Sequence, residues 1–136
     1  MISIVALDAL EPRDLWAIRT RLTKPGSEFN AEVAAVLEGE ASSGTPIAVA
    51  HLNGGLVGWA CSHLWLDQQT LEQYVDEQWR RRGIAMALSS AAVAQGIVDR
   101  DKPVAVFSPA TQAIARKLWH ADVVLYERRG NEWEPV

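Results

Sequence analysis

Apolar and polar positions change period several times along this chain, dividing it into short strands and helices. Ile2–Ala6 is apolar and β-branched and reads as a first strand. From Pro12, a residue suited to the first helical turn, Leu15, Ile18 and Leu22 recur at helical spacing, with Trp16 and Arg19 beside them. Lys24-Pro25-Gly26-Ser27 breaks that pattern. A second helix starts near Glu28, gathers Phe29, Val33, Val36 and Leu37 on one face, and ends at Gly39. After a loop, Ala41–Pro46, the stretches Ile47–Leu52 and Leu56–Leu64 read as strands joined at Asn53-Gly54, a type I′ hairpin signal. Thr70–Val75 is a further strand. Ile84–Val98 is a long apolar helix, Asp99–Pro103 a turn, Val104–Ser108 a strand and Thr111–His120 a helix. Val123–Glu127 and Trp133–Val136 pair as a last hairpin around Gly130-Asn131. The predicted order is β-α-α-β-β-β-α-β-α-β-β.

The length of 136 residues fits one domain, residues 1–136, able to bury roughly two-thirds of its unfolded surface. Hydrophobic content of 49% and charged content of 22% are those of an ordinary globular chain. A net charge of −4 argues against general nucleic-acid binding, although Arg80, Arg81 and Arg82 form a local basic patch. Cys61 is the single cysteine, so no internal disulfide forms and a reducing, cytoplasmic location is expected. The start of the chain has no basic segment ahead of Asp8, which argues against a signal peptide. The longest charge-free stretch, Gly83 to Val98, holds Ser89, Ser90, Gln95 and Gly96, and is too short and too polar to span a bilayer. No internal repeat is present, and neither phosphate-binding glycine motif of the nucleotide-binding folds occurs.

The chemistry concentrates where the strand ending in Val75 meets the next helix: Val75-Asp76-Glu77-Gln78-Trp79-Arg80-Arg81-Arg82-Gly83-Ile84-Ala85. Backbone N–H groups at a helix start are unpaired, and the helix dipole favours negative charge there. Gly83 and Ala85 let backbone approach an anion closely, and the arginines add forked donors. This arrangement suits a diphosphate; a plain turn with a solvated arginine run is the bland alternative.

Arg80-x-x-Gly83-x-Ala85 resembles the acyl-CoA signature Gln/Arg-x-x-Gly-x-Gly/Ala of the GCN5-related N-acetyltransferase (GNAT) superfamily. Val57-Gly58-Trp59-Ala60 is similar to that family's third strand, Val75 lies five residues before Arg80 as its strand-end residue does, and Gln112-x-x-Ala115-x-x-Leu118-Trp119 resembles its Asn-x-x-Ala-x-x-Leu-Tyr helix. The resemblance covers essentially the whole chain. It implies an α+β fold with a mixed, mostly antiparallel sheet flanked by about four helices. The strand ending at Val75 would run parallel to Val104–Ser108 and splay from it at its C-terminal end. The implied activity is transfer of an acetyl group from acetyl-CoA, as cosubstrate, to a primary amine by direct attack. Arg80, Arg81, Arg82, Gly83, Ile84 and Ala85 would hold the diphosphate, with Tyr74, Val75, Gln112 and Trp119 along the rest of the cofactor.

Acyl transfer needs a neutral amine, a polarised thioester carbonyl and a leaving thiolate. Glu72 lies where the family often carries an acidic residue: it is a candidate base, an attractor for a cationic acceptor, or an ordinary solvated glutamate. Trp119 stands where the family usually places the tyrosine that protonates the thiolate, and an indole N–H is no useful general acid. His120 and Ser108 are the candidate substitutes, and unaided departure of the thiolate is the third route. Ala121-Asp122 also replaces the family's usual Gly-Phe. The missing tyrosine supports an alternative, a catalytically weak acyl-CoA sensor or partner-binding module. Trp59, Cys61, His63 and Trp65 alternate on one strand face, as core packing or as an aromatic-lined acceptor site; a Cys61–His63 nucleophile and a metal site are not expected. Six tryptophans (Trp16, Trp59, Trp65, Trp79, Trp119 and Trp133) exceed what a central core needs, and an acceptor pocket or a homodimer interface would use the surplus. The acceptor amine, small molecule or protein, is left open.

Overall fold

The computed structural model describes residues 1–22, 28–39 and 44–136, with no account of the side chains of 28–31. The expected break at Lys24–Ser27, the place of Phe29 on its helix and residues 41–43 of the expected loop lie outside the described residues. Strand β1 (Ile2–Ala6) is followed by a 3-10 turn and helices α1 (Pro12–Arg21) and α2 (Glu28–Leu37). Then come β2 (Pro46–Leu52), β3 (Gly55–Cys61), β4 (Leu64–Trp65), β5 (Gln68–Thr70) and β6 (Glu72–Val75). Helix α3 (Ile84–Ala94), β7 (Val104–Val106), α4 (Pro109–Leu118), β8 (Val123–Arg129) and β9 (Glu132–Pro135) complete the order.

The expected order holds, with two refinements. The strand expected to run to Leu64 stops at Cys61 and resumes as the short β4, which turns back onto β5. The strand expected over Thr70–Val75 is longer and divided at Leu71. Helix α3 stops at Ala94, short of Val98, because Gly96 takes a left-handed φ of +73° and the N–H of Ile97 closes back on the Ala92 carbonyl. The Asn53-Gly54 turn has the two positive φ values, 52° and 80°, that a type I′ hairpin requires.

β1-β2-β3-β6 form an antiparallel sheet, and β4-β5-β7-β8-β9 a mixed one in which β5, β7 and β8 are parallel. Helices α1 and α2 cover one face of the first sheet through Leu15, Ile18 and Val33 against Ile47, Val49, Trp59 and Cys61. Helix α3 covers the other face, where Ala48, Ala50 and Ala60 leave room for Leu88. Helices α3 and α4 close the second sheet over Leu71, Val104, Val106 and Leu125. No described helix is long and apolar enough to cross a membrane.

Candidate active site

The site begins where one stretch of chain changes its hydrogen-bonding partner. Residues 68–70 pair in parallel with β7, with Thr70 opposite Ala105. The Leu71 N–H donates to the Ala105 carbonyl at 3.0 Å. Beyond Leu71, β6 pairs with β3 and becomes the edge of the first sheet. A wedge therefore opens between β6 and the C-terminal end of β7, the parallel pair with splayed ends that the resemblance implied. In the antiparallel ladder the Asp76 N–H donates to the Val57 carbonyl at 2.8 Å, so Glu72, Tyr74 and Asp76 turn their backbone groups toward β3. Gln73 and Val75 turn theirs into the wedge.

Gly58 makes this edge possible. A Cβ there would stand 2.5 Å from the Tyr74 carbonyl oxygen and 3.3 Å from the Val75 Cα. Only glycine lets β3 and β6 come this close.

The chain then turns sharply through the basic segment. Arg21 of α1 grips Asp76 with two hydrogen bonds, Nε at 2.6 Å and Nη2 at 3.0 Å. Arg80 folds back so that its Nε donates to the Val75 carbonyl at 2.8 Å, with its guanidinium 5.7 Å from the Tyr74 ring centre. Arg82 lies 5.1 Å from the Trp79 ring centre. Arg81 and Gly83 both take left-handed conformations, φ +63° and +80°. Gly83 is the N-cap of α3, which has neither a side-chain cap nor an acidic residue in its first turn. An exposed, positively polarised helix start thus faces the end of β6, beside three exposed arginines. Val75 itself is buried against α3, and Tyr74 stacks on Trp59 at 4.8 Å. Burial, then the charge of Asp76, push the Tyr74 phenol above its usual range.

Glu72 is the first residue past the parting of the strands. Its Oε2 lies 3.0 Å from Nδ1 of His63, and the other ring nitrogen, Nε2, lies 3.2 Å from Oε2 of Glu32 on α2. Glu32 in turn accepts a hydrogen bond from Thr45 Oγ1 at 2.6 Å. Burial works to lower the His63 pKa, but the hydrogen bond and charge of Glu72, then those of Glu32, outweigh it and hold the imidazole above its ordinary 6.5. Cys61 lies beneath, fully buried. Burial first, then the charges of Glu72 and Glu32, push its thiol well up, so it stays protonated and is no nucleophile. Cys61, His63 and Glu72 offer ligand atoms within 4.8 Å of one another, but both imidazole nitrogens already face carboxylates. Sequence spacing placed Cys61 and His63 on one strand face without pairing them; the structure pairs His63 with two glutamates. Glu32 carried no sequence signal beyond its place on an amphipathic helix.

The remaining candidates separate. Ser108 sits at the mouth of the wedge as the N-cap of α4: its hydroxyl accepts from the Thr111 N–H at 3.2 Å and donates to Thr111 Oγ1 at 2.9 Å. Gln112 lies in the first turn of the same helix. Trp119 and His120 are at the opposite end. Helix α4 begins at Pro109, not Thr111, and ends at Leu118, so it carries Trp119 back to the N-terminal end of β7. There Trp119 is buried in the core and its Nε1 donates to the Lys102 carbonyl at 3.0 Å. His120 pairs with exposed Asp101, its Nδ1 at 2.9 Å. A ten-residue helix spans about 15 Å, so both residues stand a helix length from Ser108. Trp59 and Cys61 are core, as the bland reading had it, whereas Trp65 joins Phe107, Tyr126 and Trp133 in a half-buried aromatic layer on the second sheet.

No family model matches the chain, and no curated protein matches it. Solved structures do. A GNAT superfamily phosphinothricin acetyltransferase from Sinorhizobium meliloti, in complex with AcCoA, superposes with a TM-score of 0.57 at 17% identity, covering 98% of this chain and 84% of its own. An aminoglycoside N-acetyltransferase, AAC(6')-Iy, in complex with CoA gives a TM-score of 0.51 at 20% identity over 87% and 84% of the two chains. A possible acetyltransferase from Clostridium difficile 630 gives 0.51 at 17% identity over 100% and 99%. These likenesses show that the fold is that of the GNAT superfamily.

Proposed function

We propose that this protein is an acyl-CoA N-acetyltransferase that moves the acetyl group of acetyl-CoA to a primary amine by direct attack in a ternary complex. The observation that carries the reading is the wedge: the strands part at Leu71, and an uncapped, glycine-started helix flanked by arginines stands at the end of the freed strand. Two of the similar structures contain CoA or AcCoA, which supports the same ligand here. The N-terminal turn of α3, from Gly83 through Ala85, with Arg81 and Arg82, would hold the diphosphate. Arg80 shapes the turn by fixing the Val75 carbonyl. Gln73 and Val75 present backbone groups in the wedge for the pantetheine arm and the thioester carbonyl. Acetyl-CoA supplies the acyl group as an activated thioester. Glu72 steers a cationic acceptor and receives its proton. Ser108 is committed to capping α4, so the thiolate leaves unaided, in keeping with the acidity of a thiol. One similar structure is an aminoglycoside acetyltransferase, which supports an amine acceptor without identifying this chain's own.

Isothermal titration with acetyl-CoA tests the binding half. The wild type binds, and Gly83→Glu, which sets a carboxylate at the proposed diphosphate site, weakens binding at least about tenfold, or 1.4 kcal/mol. A folded wild type that shows no binding at millimolar ligand overturns the proposal. Thioester consumption across a panel of alkylamines, amino acids and aminoglycosides tests the chemical half. Tight binding without turnover on any of them would favour the acyl-CoA sensor.

A further inference from the structure

We propose that the proton leaving the acceptor ammonium passes through Glu72 to His63, and that Glu32 holds the ring in place to receive it. The inference rests on the acetyltransferase reading above and assigns two residues which that reading does not use.

Three elements meet here. Glu72 comes from β6, Glu32 from α2, and His63 from the turn after β3. Side-chain exposure orders them: Glu72 is 33% accessible and His63 13%. Solvent, and with it a cationic acceptor, therefore reaches the Glu72 carboxylate more readily than the imidazole beside it. The titratable groups around the ring, among the described residues, are these two carboxylates and the Cys61 thiol. The thiol stays protonated, so among the described groups the two carboxylates set the ring's charge.

Hydrogen counting gives the pair its function. A neutral imidazole carries one N–H, yet both of its nitrogens lie within hydrogen-bond distance of a carboxylate oxygen. With the hydrogen on Nε2, toward Glu32, the Nδ1 lone pair faces the Glu72 oxygen with nothing between them. One more proton turns that repulsive contact into a charge-assisted hydrogen bond. The cluster is built to take up one proton. The same two contacts hold the ring above its ordinary 6.5. An imidazole held above its ordinary range is a closer match to an alkylammonium than an unperturbed one and takes its proton more readily.

The ammonium loses one proton to His63 by way of Glu72 and becomes a neutral amine. Its lone pair forms the C–N bond to the acetyl carbon while the C–S bond breaks, and the electron pair of that bond leaves on sulfur. A second nitrogen proton neutralises the thiolate through solvent, leaving the amide with one. His63 then releases its proton to water.

Two measurements on the intact protein test this. The pH profile of kcat/KM, with the fastest amine of the panel and saturating acetyl-CoA, is to show an acidic limb. That limb is to coincide with the His63 titration followed by NMR of the imidazole carbons, assigned by loss of the signal in His63→Gln. Glu32→Gln removes one of the two carboxylates, so it moves both the limb and the NMR midpoint to lower pH together. His63→Gln lowers kcat/KM by about 100-fold or more, the usual scale of general-base assistance, with acetyl-CoA affinity retained. A limb that stays in place in Glu32→Gln while the NMR midpoint moves, or full activity in His63→Gln, overturns the proposal and leaves the acetyltransferase reading standing. No turnover with any amine, by protein that binds acetyl-CoA, overturns both.

Discussion

Replacing Gly58 with alanine tests whether the close approach of β3 and β6 builds the wedge. The added Cβ would lie 2.5 Å from the Tyr74 carbonyl oxygen, against ordinary contact that begins near 3.4 Å, a shortfall of about 0.9 Å. The obstacle is backbone, so no side chain can rotate away; the strands must part or tilt. Overpacking of this kind costs about 1–3 kcal/mol. For a 136-residue domain that is a fall in Tm of roughly 3–10 °C. The displaced residues are also those proposed to line the cofactor's arm. Loss of even one backbone hydrogen bond, about 1 kcal/mol, weakens acetyl-CoA several-fold. Thermal unfolding with and without acetyl-CoA reads both effects. Gly55→Ala is the internal control, because a Cβ there meets its nearest neighbour, the Leu52 carbonyl, at an ordinary 3.9 Å; its stability should stay within about 0.5 kcal/mol of wild type. If Gly58→Ala matches Gly55→Ala in both Tm and affinity, the reasoning from strand approach to binding edge fails.

Trp119→Ala should behave as a core mutation, costing about 3–5 kcal/mol in chemical denaturation and leaving acetyl-CoA affinity of the folded fraction unchanged; a large affinity loss at unchanged stability would return Trp119 to the cofactor. The raised pKa of His63 makes its contribution to stability fully present below about pH 6.5 and lost as pH rises through the folded-state value. Urea denaturation of wild type and His63→Gln should therefore show a gap at pH 5.5 that narrows by pH 8.5, and a gap that widens would contradict the cluster described here.

Most of the fold was legible because its signals are local. Period and turn chemistry located β1, both early helices, the Asn53-Gly54 hairpin and the start of α3. What sequence could not show was the exchange of partners at Leu71, since a strand pairing first with β7 and then with β3 keeps one alternating pattern throughout. The site was legible to the extent that it depends on backbone: Gly83 and the arginine run mark the helix start. It was misread where side chains from distant elements converge. Nothing local joins Glu32 on α2 to His63 after β3. Around Trp119 the motif did not reveal the helix bounds: Ser108 as N-cap and Pro109 at N1 start α4 two residues earlier than expected, and Trp119 is its C-cap.

The switch at Leu71 ties these observations together. A strand that stayed with β7 would satisfy its own backbone and leave no wedge. A strand that never joined β7 would leave the two sheets without a hinge. By changing partner once, the chain frees the backbone of Gln73 and Val75, sets Glu72 against His63, and delivers the next turn to the start of α3. The same crossing brings His63 beside Thr70, whose hydroxyl accepts from the His63 N–H at 3.0 Å and fixes the imidazole's backbone at the parting point. Binding edge, helix start and proton acceptor are thus set by one topological event. On this view changes at Leu71 and Thr70 should disturb the placement of all three together, while changes on the far end of α4 should disturb none of them.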